Sequence, residues 1–186
     1  MIMEKKFELT DKFIINVFGI KLFQIKCTKS FKYAQKGDLG GYVEKEGNLD
    51  QENDAWVSGD AQVYGNAQVY GNAWVSGNAR VSGDAQVSGN AQVYGNAWVS
   101  GNAQVSGDAN IKNNNEHCGF DGFGSCNRHT HAYLTKEKKV EITCGCFRGS
   151  IEEFEKKVEE THSGTIYEKQ YKAIINVIKI KFGLTD

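Results

Sequence analysis

The fold is determined by a six-residue sequence repeat, which we call a phrase, and its first copy reads Val57-Ser58-Gly59-Asp60-Ala61-Gln62. The phrase recurs nine times without interruption, and its last copy reads Val105-Ser106-Gly107-Asp108-Ala109-Asn110. Within each copy, Ala-x-Val alternates a small, a variable and a branched residue, which is the period of a strand with one buried face. Gly followed by Asn or Asp supplies residues that tolerate a positive φ at a corner. Strands and corners that alternate every six residues predict a parallel β-helix.

Hexapeptide phrases of this kind resemble those of left-handed parallel β-helices, in which an aliphatic residue is followed four positions later by a small one. The resemblance implies three phrases in each triangular coil, so that Val57 is followed one coil later by Val75. In this frame, residues 39–116 hold thirteen units, a little over four coils. Leu39 and Ile111 then fall in aliphatic slots that face the interior, and Leu49 and Asn115 fall in small ones.

The composition of the chain divides it into three parts. We predict an N-terminal β-hairpin cap over residues 1–36, the β-helix over 37–116 and a small α+β module over 117–186. Apolar residues alternate on both sides of Gly19, which is typical of a hairpin. Caps are expected at both ends of the β-helix, because a bare coil end exposes backbone groups that pair with other chains.

The C-terminal module is predicted from its local patterns. Residues 112–131 are rich in Asn, His and Gly and predict a polar loop. The alternating stretches 132–135 and 140–144 predict a second β-hairpin. Capping boxes that begin at Ser150 and Thr165 predict two helices, each with one apolar face.

Outward-facing residues that lie three phrases apart should stack on one side of the coil. Trp56 and Trp74 therefore share a side, with Tyr94 next along it. Arg80 and Trp98 share a second side, and their stacking predicts a cation–π contact. Exposed aromatic residues mark interfaces, so these five residues are the candidate binding or oligomer surface. The alternative is that ladders of similar residues only stabilise the stacked strands.

Charge and cysteine usage exclude several classes of partner. The chain has 22 basic and 23 acidic residues, which gives no basic surface for nucleic acid and no polybasic signal for a membrane. Its first residues lack the apolar core of a signal peptide, and no apolar run reaches the length of a membrane span. Five irregularly spaced cysteines favour reduced thiols and a cytoplasmic location. The cysteines are Cys27, Cys118, Cys126, Cys144 and Cys146.

A group of histidines and cysteines follows the repeats between positions 117 and 146, and it leaves a zinc site open as an alternative. Only Cys126 and His129 have the spacing of a usual ligand pair, whereas Cys144 and Cys146 are one residue too close. We therefore predict no metal and no cofactor. The group consists of His117, Cys118, Cys126, His129, His131, Cys144 and Cys146.

The best-known enzymes with hexapeptide repeats are acyltransferases. Resemblance to them implies a trimer in which a catalytic histidine projects from a coil. This chain has no histidine before residue 117, and Ser, Asn or Gln cannot act as a general base at neutral pH. The sequence therefore favours a protein without catalysis. The alternative is an acyltransferase whose base comes from the C-terminal module of a neighbouring subunit, namely His129, His131 or His162.

Stretches outside the perfect repeats carry a second resemblance. They read Lys36-Gly37-Asp38-Leu39-Gly40-Gly41-Tyr42-Val43-Glu44 before the repeats and Cys144-Gly145-Cys146-Phe147-Arg148-Gly149-Ser150 after them. Together with the repeats they resemble small proteins of bacteriophages and prophages that are often labelled hexapeptide transferases and share no known activity.

This second resemblance sets the leading hypothesis for function. It favours a non-catalytic, homo-oligomeric binding protein, with a trimer by analogy. One version is an anti-defence factor that blocks a host immune complex or sequesters a small signalling molecule. Another alternative is a structural spacer in the virion.

Overall fold

A computed structural model describes residues 5–184, and a parallel β-helix forms its centre. The β-helix has four coils of three sides joined by corners, and eleven of these twelve positions are short strands, while the remaining one, at Leu49, is a single bridge to Val69. The strands of the helix are β3 (Leu39–Val43), β4 (Trp56–Val57), β5 (Gln62–Val63), β6 (Gln68–Val69), β7 (Trp74–Val75), β8 (Arg80–Val81), β9 (Gln86–Val87), β10 (Gln92–Val93), β11 (Trp98–Val99), β12 (Gln104–Val105) and β13 (Asn110–Ile111).

The strands stack into three sides, as the repeat predicts. Side one holds β3, β5, β8 and β11, side two holds β4, β7, β10 and β13, and side three holds β6, β9 and β12. Within the perfect repeats each strand pairs in parallel with the third strand after it, for example Trp56 with Trp74. A parallel β-helix with three phrases per coil is thus confirmed, and its left-handed winding stays a prediction.

The interior is a column of Val and Ala side chains. Val75 and Val93, one coil apart on side two, both have 0% of their surface exposed. Every Ala and Val of the uninterrupted repeats belongs to one continuous buried cluster. Burial of a valine contributes roughly 1.5–3 kcal/mol relative to exposure, so each valine of the column stabilises the repeats.

Glycine alone turns the corners. The nine repeat glycines have φ between 62° and 72°, whereas no Asn or Asp of the repeats has a positive φ. The prediction that Asn and Asp share this backbone conformation is therefore wrong. Their side chains instead form ladders between coils, such as Asn66 Nδ2 to Asp84 Oδ1 at 3.1 Å. The stacking is tight, since a Cβ on Gly83 would lie 2.9 Å from the backbone nitrogen of Gly101.

The first coil does not follow the six-residue frame that the sequence suggests. Val43 pairs with Val63 and Leu49 with Val69. The residues of each pair are two positions further apart in the sequence than the paired residues of the later coils. Two extra residues therefore lie in the loop that follows Leu49. Leu49 consequently fills an aliphatic slot rather than a small one, and Leu39 is 50% exposed rather than internal.

The far end corrects the unit count. Ile111 is fully buried in an aliphatic slot, as predicted. Asn115 is exposed, so it does not fill the small slot assigned to it. The β-helix ends at Ile111 with four complete coils, instead of extending to residue 116 with thirteen units.

The N-terminal end is covered by a β-hairpin, as predicted. Strands β1 (Phe7–Ile15) and β2 (Lys21–Cys27) pair in antiparallel fashion, and β2 continues side one by pairing with β3. Asn16 Oδ1 accepts hydrogen bonds from two backbone N–H groups of the turn. The Lys6 ammonium donates to the carbonyls of Asn53 and Ala55, and burial lowers its pKa to about 8.

The C-terminal end is covered by a four-stranded antiparallel sheet in the order β14-β15-β16-β17. The strands are β14 (His117–Phe123), β15 (Arg128–Leu134), β16 (Val140–Cys144) and β17 (Phe147–Gly149). The predicted hairpin is present as β15 and β16. The prediction of a polar loop over 112–131 is wrong, because β14 and the start of β15 lie within it.

Two helices cover the outer face of this sheet. Helix α1 (Ile151–His162) begins at the capping box of Ser150, and α2 (Ile166–Lys181) begins at Thr165. Glu168 does not complete the predicted capping box at Thr165, because its carboxylate accepts a hydrogen bond from the backbone N–H of Gly164. Apolar residues of both helices form a second buried cluster with Ala132 and Ile142 of the sheet.

Candidate functional site

The three tryptophans occupy the same position in the repeat, but they differ in exposure and in the side chains that they contact. Trp56 is only 2% exposed, because Phe31 of the N-terminal segment packs against it edge-to-face at 5.3 Å. The prediction that Trp56 lies on an open surface is therefore wrong. It is part of the seal at the N-terminal end of the solenoid.

Trp74 and Tyr94 lie on side two, as predicted, and both are partly covered. The Trp74 indole stacks on Tyr33 with ring centroids 5.9 Å apart and an angle of 9°. Its Nε1 donates to Ser58 Oγ at 2.9 Å. Tyr94 is half-buried one coil further on. The N-terminal segment thus occupies much of the aromatic surface that the sequence places on side two.

Trp98 is the exposed tryptophan, with 39% of its surface accessible. Its Nε1 donates to Ser82 Oγ at 3.1 Å, so the indole N–H is satisfied within the chain. Phe18, at the tip of the N-terminal hairpin, lies beside it with ring centroids 6.0 Å apart.

Arg80 is the strand partner of Trp98, as predicted. Within residues 5–184, Arg80 and Trp98 make no cation–π contact, contrary to the prediction. The side chains that do lie over aromatic rings in this part of the chain are lysines. The lysines are Lys6, Lys21 and Lys32.

Two depressions share Trp98 as a wall, and we call them together the Trp98 cleft. The first has a volume of about 310 Å³ and runs along side one. Its lining is polar apart from Trp98 and Ala97, and consists of Asp60, Gln62, Asn78, Arg80, Asn96 and Asn114. The second has a volume of about 200 Å³ and lies where the solenoid meets the C-terminal sheet. Its lining consists of Ser100, Gly101, Ala103, His117, Gly119, Asp121, His129 and His131.

The first depression offers hydrogen-bonding groups of both kinds and one positive charge. Asn78 Nδ2 donates to Asn96 Oδ1 at 3.3 Å, and Asn114 Oδ1 accepts from the Trp98 backbone N–H at 2.7 Å. The Arg80 guanidinium forms no ion pair with any acidic group of the described chain, although Asp60 lines the same depression. An unpaired guanidinium beside an open aromatic ring can hold an anionic, planar ligand.

The second depression is built by the inner face of the C-terminal sheet. Strand pairing sets Gly119 opposite His131 and His117 opposite Tyr133, so side chains of alternate residues turn toward the solenoid. Tyr133 joins the solenoid core, and Thr143 Oγ1 donates to the Gln104 carbonyl at 2.8 Å. The histidines therefore line the junction between the last coil and the module.

His117 and His131 are held neutral by burial. Burial, helped by the Lys181 ammonium, lowers the pKa of His117 to about 4. Burial and the two neighbouring imidazoles keep the pKa of His131 well below its usual range. Their rings share a hydrogen bond, since His117 Nδ1 lies 3.0 Å from His131 Nε2. One ring must donate and the other accept, because neutral imidazole carries a single N–H.

Two ring nitrogens in the wall of the second depression have no hydrogen-bond partner. They are His131 Nδ1 and His129 Nε2, and both are buried. The Gln104 carbonyl lies close enough to act against this lowering of the His131 pKa, but no hydrogen bond of normal geometry reaches Nδ1. Buried polar atoms are normally paired, so these two nitrogens indicate a place for a hydrogen-bonding group of a ligand or a water.

Asp121 and His129 form the arrangement closest to a catalytic pair. Asp121 Oδ1 lies 2.7 Å from His129 Nδ1, and the hydrogen bond from His129 lowers the pKa of the Asp121 carboxyl. The carboxylate therefore fixes the tautomer in which Nδ1 carries the proton and Nε2 carries the lone pair. The geometry places one ring nitrogen of His129 in the cavity wall, where the lining also includes the hydroxyl residue Ser100.

The predicted group of histidines and cysteines is divided between two faces of the sheet. Cys144 and Cys146 lie on the helix side with His162, away from the three histidines on the solenoid side. Burial raises the pKa of Cys118 to about 11, which leaves that thiol protonated. Within residues 5–184, no three His, Cys, Asp or Glu side chains are placed to hold one metal ion.

Sequence reasoning missed the contribution of β14 to the cleft. The predicted polar loop contains Asp121, and the pattern does not predict its pairing with His129. A signal was present, since Cys118 and Phe120 alternate with His117, Gly119 and Asp121 in the manner of a strand.

The repeats match a known family of solenoid units. Five overlapping segments match the family model described as the YdcK beta solenoid repeat, namely 61–77, 67–83, 73–89, 85–101 and 91–107. These matches cover the repeats only and leave the hairpin and the C-terminal module unmatched. No curated protein matches the chain. Among the described helices, none is long and apolar enough to cross a membrane.

Proposed function

We propose that this chain is a non-catalytic binding protein in which a rigid, end-capped solenoid carries a ligand site at the Trp98 cleft. The observation that supports it most is the pairing of an open indole with an unpaired guanidinium on side one. A planar ring can stack on Trp98 while an anionic group meets Arg80, and the asparagine amides can bind polar atoms between them. The volume of about 310 Å³ lies at the lower end for small-ligand pockets.

The ligand class is therefore a small molecule with an aromatic ring and a negative charge. Mononucleotides are suitable probes, with the corresponding nucleosides and inorganic phosphate as tests of each half of the ligand. Titration of the protein should quench the fluorescence of Trp98. The Trp74→Phe variant should keep the response, whereas Trp98→Ala should lose it although the other two tryptophans remain. Absence of quenching by the whole panel at millimolar concentration would contradict the proposal.

Arg80 separates ligand recognition from simple stacking. Arg80→Gln should weaken binding of the charged probes about 10- to 100-fold, because a charge-assisted hydrogen bond contributes roughly 1.5–3 kcal/mol. The same variant should leave the weak binding of uncharged nucleosides unchanged. Equal loss for both probe types would indicate a structural role of Arg80.

The biological version of this proposal follows the resemblance to phage proteins. In it, the protein acts in the cytoplasm of a bacterial host, where it sequesters a small signalling molecule or blocks an immune complex. A host strain that carries a defence system should regain sensitivity to phage when it expresses the wild-type chain, but not when it expresses Trp98→Ala. Equal sensitivity with both chains would separate the cleft from the biological role.

A second candidate function is supported by the Asp121–His129 pair. A base nitrogen held by a carboxylate is what an acyltransferase needs, and here it lies in a single chain. Turnover of acetyl-CoA with a panel of acceptors should then fall about 100- to 10,000-fold in His129→Gln. His162→Ala is the matched control, since His162 lies on the other face of the module. No turnover by the wild-type chain would remove this candidate.

A further inference from the structure

The second depression of the Trp98 cleft contains two linked histidines whose tautomers are fixed by a neighbouring amide. Asn114 Oδ1 accepts from the Trp98 backbone N–H at 2.7 Å, which identifies this atom as the amide oxygen. His117 Nε2 lies 3.4 Å from the same oxygen, so this ring nitrogen carries the proton. His117 Nδ1 therefore holds a lone pair, which accepts from His131 Nε2 at 3.0 Å. The other nitrogen of that ring, His131 Nδ1, is left with a lone pair.

The Gln104 carbonyl lies near His131 Nδ1 and would favour a proton there. This carbonyl already accepts from Thr143 Oγ1 at 2.8 Å, and the imidazole nitrogen has no hydrogen-bond partner. A proton on His131 Nδ1 would also turn the lone pair of His117 Nε2 toward the Asn114 oxygen, where two acceptors repel each other. The lone pair on His131 Nδ1 is therefore the better assignment.

His129 presents a second lone pair to the same depression. Its Nδ1 donates to Asp121 Oδ1 at 2.7 Å, so Nε2 of the neutral ring is unprotonated. Gly119 makes room for this ring, because a Cβ there would lie 2.6 Å from His129 Cε1 and 2.8 Å from Nε2. The rings of His129 and His131 have centroids 5.6 Å apart, and both line the depression. Two buried acceptors on neighbouring rings thus lack a donor in the wall of one cavity.

The chemistry of the missing partner follows from the two lone pairs. Buried acceptors are normally paired, and only a donor can satisfy them. The two depressions are continuous, since both are lined by Trp98, and Asn114 of the first lies against His117 of the second. A ring stacked on Trp98 can therefore turn one edge toward the histidines. Guanine carries two adjacent donors on one edge, the N1–H and the 2-amino group.

We propose that the second depression recognises the donor edge of a guanine base, with His129 Nε2 and His131 Nδ1 as the acceptors. The inference rests on the proposed function, because it names the base of the nucleotide that stacks on Trp98. The phosphate of that nucleotide lies toward Arg80, in the first depression. Hypoxanthine differs from guanine only by the absence of the 2-amino group, so the two nucleotides form a matched pair of probes.

Calorimetric titration of the full chain with GMP and with IMP tests the proposal. GMP should bind about 10-fold more tightly, because IMP leaves one acceptor unpaired. His129→Leu should lower the affinity for GMP to that for IMP and leave the affinity for IMP unchanged. His162→Leu, the same substitution on the other face of the module, should keep the preference for GMP. Equal affinities in the wild type would overturn this inference and leave the proposed function standing, whereas binding of neither nucleotide would overturn both.

Nitrogen NMR of the wild-type chain, labelled with ¹⁵N in its histidines, tests the tautomers without any ligand. At pH 8, His131 Nδ1 and His129 Nε2 should have the chemical shifts of unprotonated ring nitrogens. Addition of GMP should move both signals toward the range of nitrogens that accept a hydrogen bond, and IMP should move them less. A proton on His131 Nδ1 in the free protein would overturn the inference whether or not a nucleotide binds.

Discussion

The two ends of the solenoid are sealed by different chemistry, which is mainly apolar at the N-terminal end apart from the buried Lys6 and polar at the C-terminal end. At the N-terminal end, Phe7, Ile25 and Trp56 continue the apolar column, and all three are at most 2% exposed. At the C-terminal end, His131 and Thr143 are buried against the last coil as polar groups. Both seals cover backbone that would otherwise pair with another chain. The polar seal leaves two buried ring nitrogens, His131 Nδ1 and His129 Nε2, without a partner in the wall of a cavity.

This difference indicates which kind of seal allows a capped solenoid to bind a ligand. An apolar seal is filled by its own side chains and offers a ligand nothing to recognise. A polar seal must satisfy each buried group, and any that stay unpaired mark a site where a ligand can bind. The second depression of the Trp98 cleft is lined by the polar seal.

The largest effect is expected at the apolar seal. Trp56→Ala should lower the free energy of unfolding by about 3–5 kcal/mol, because it opens a cavity under Phe31. Trp98→Ala, at the same place in the repeat, should lower it by less than Trp56→Ala does, since 39% of the Trp98 surface is already exposed. Chemical denaturation of both variants gives the comparison. Equal losses would mean that the two ends are not sealed differently.

Acid should act on the polar seal. Unfolded His117 and His131 take up protons near pH 6.5, whereas in the folded chain the pKa of His117 is about 4 and that of His131 is also lowered. The stability that they contribute is therefore complete above pH 6.5 and declines as the pH falls toward 4. We expect a loss on the order of 2–3 kcal/mol over this range.

Denaturation at several pH values measures this loss, and His131→Leu is the variant that tests its cause. Its stability should depend less on pH than that of the wild type. The nearby titratable and charged groups Glu116, Asp121, His129 and Lys181 remain in both proteins and control for general acid effects. A wild-type stability that is flat between pH 7 and 5 would contradict the assignment of neutral histidines.

Substitution of two glycines tests whether the packing differs between the two ends. A Cβ on Gly41 would lie 2.7 Å from the Ala61 carbonyl oxygen, so Gly41→Ala should cost roughly 2 kcal/mol through overpacking. Gly101 has open space around its Cα and a φ of 66°. Gly101→Ala should cost only about 1 kcal/mol, from backbone strain. Thermal unfolding measures both, and the reverse order would contradict the close packing of the N-terminal end.

A small effect, similar to that of Gly101→Ala, is expected from Tyr133, whose hydroxyl donates to Glu141 Oε1 at 2.7 Å and to the Ser106 carbonyl at 3.4 Å. Tyr133→Phe should lower the free energy of unfolding by about 1 kcal/mol through loss of these bonds. The control is Tyr94→Phe, on side two of the repeats. The denaturant midpoints of the two variants are compared. No difference between the two would mean that the polar seal adds nothing to stability.

Sequence periodicity predicted the interior of the solenoid because each Val and Ala has one role that repeats without change. It failed at the first coil, where an insertion after Leu49 shifts the pairing of Val43 by two residues. A local pattern cannot reveal such a shift, because the residues on both sides still resemble the repeat. The partner strand sets the register.

The candidate site was predicted in part for a related reason. Arg80 and Trp98 share a side because three phrases make one coil, which is a local rule. Burial of Trp56 depends on Phe31, and the environment of His129 depends on Asp121 in a strand that looked like a loop. These contacts join segments that carry no common period, so the sequence pattern does not contain them.

Hydrogen exchange at pH 7 and pH 5, corrected for intrinsic rates, tests the difference between the two ends most directly. We predict that β14 to β16 lose protection at pH 5, while β1 to β3 and the repeats keep theirs. Equal protection of both ends at both pH values would contradict a polar, histidine-dependent seal beside the Trp98 cleft.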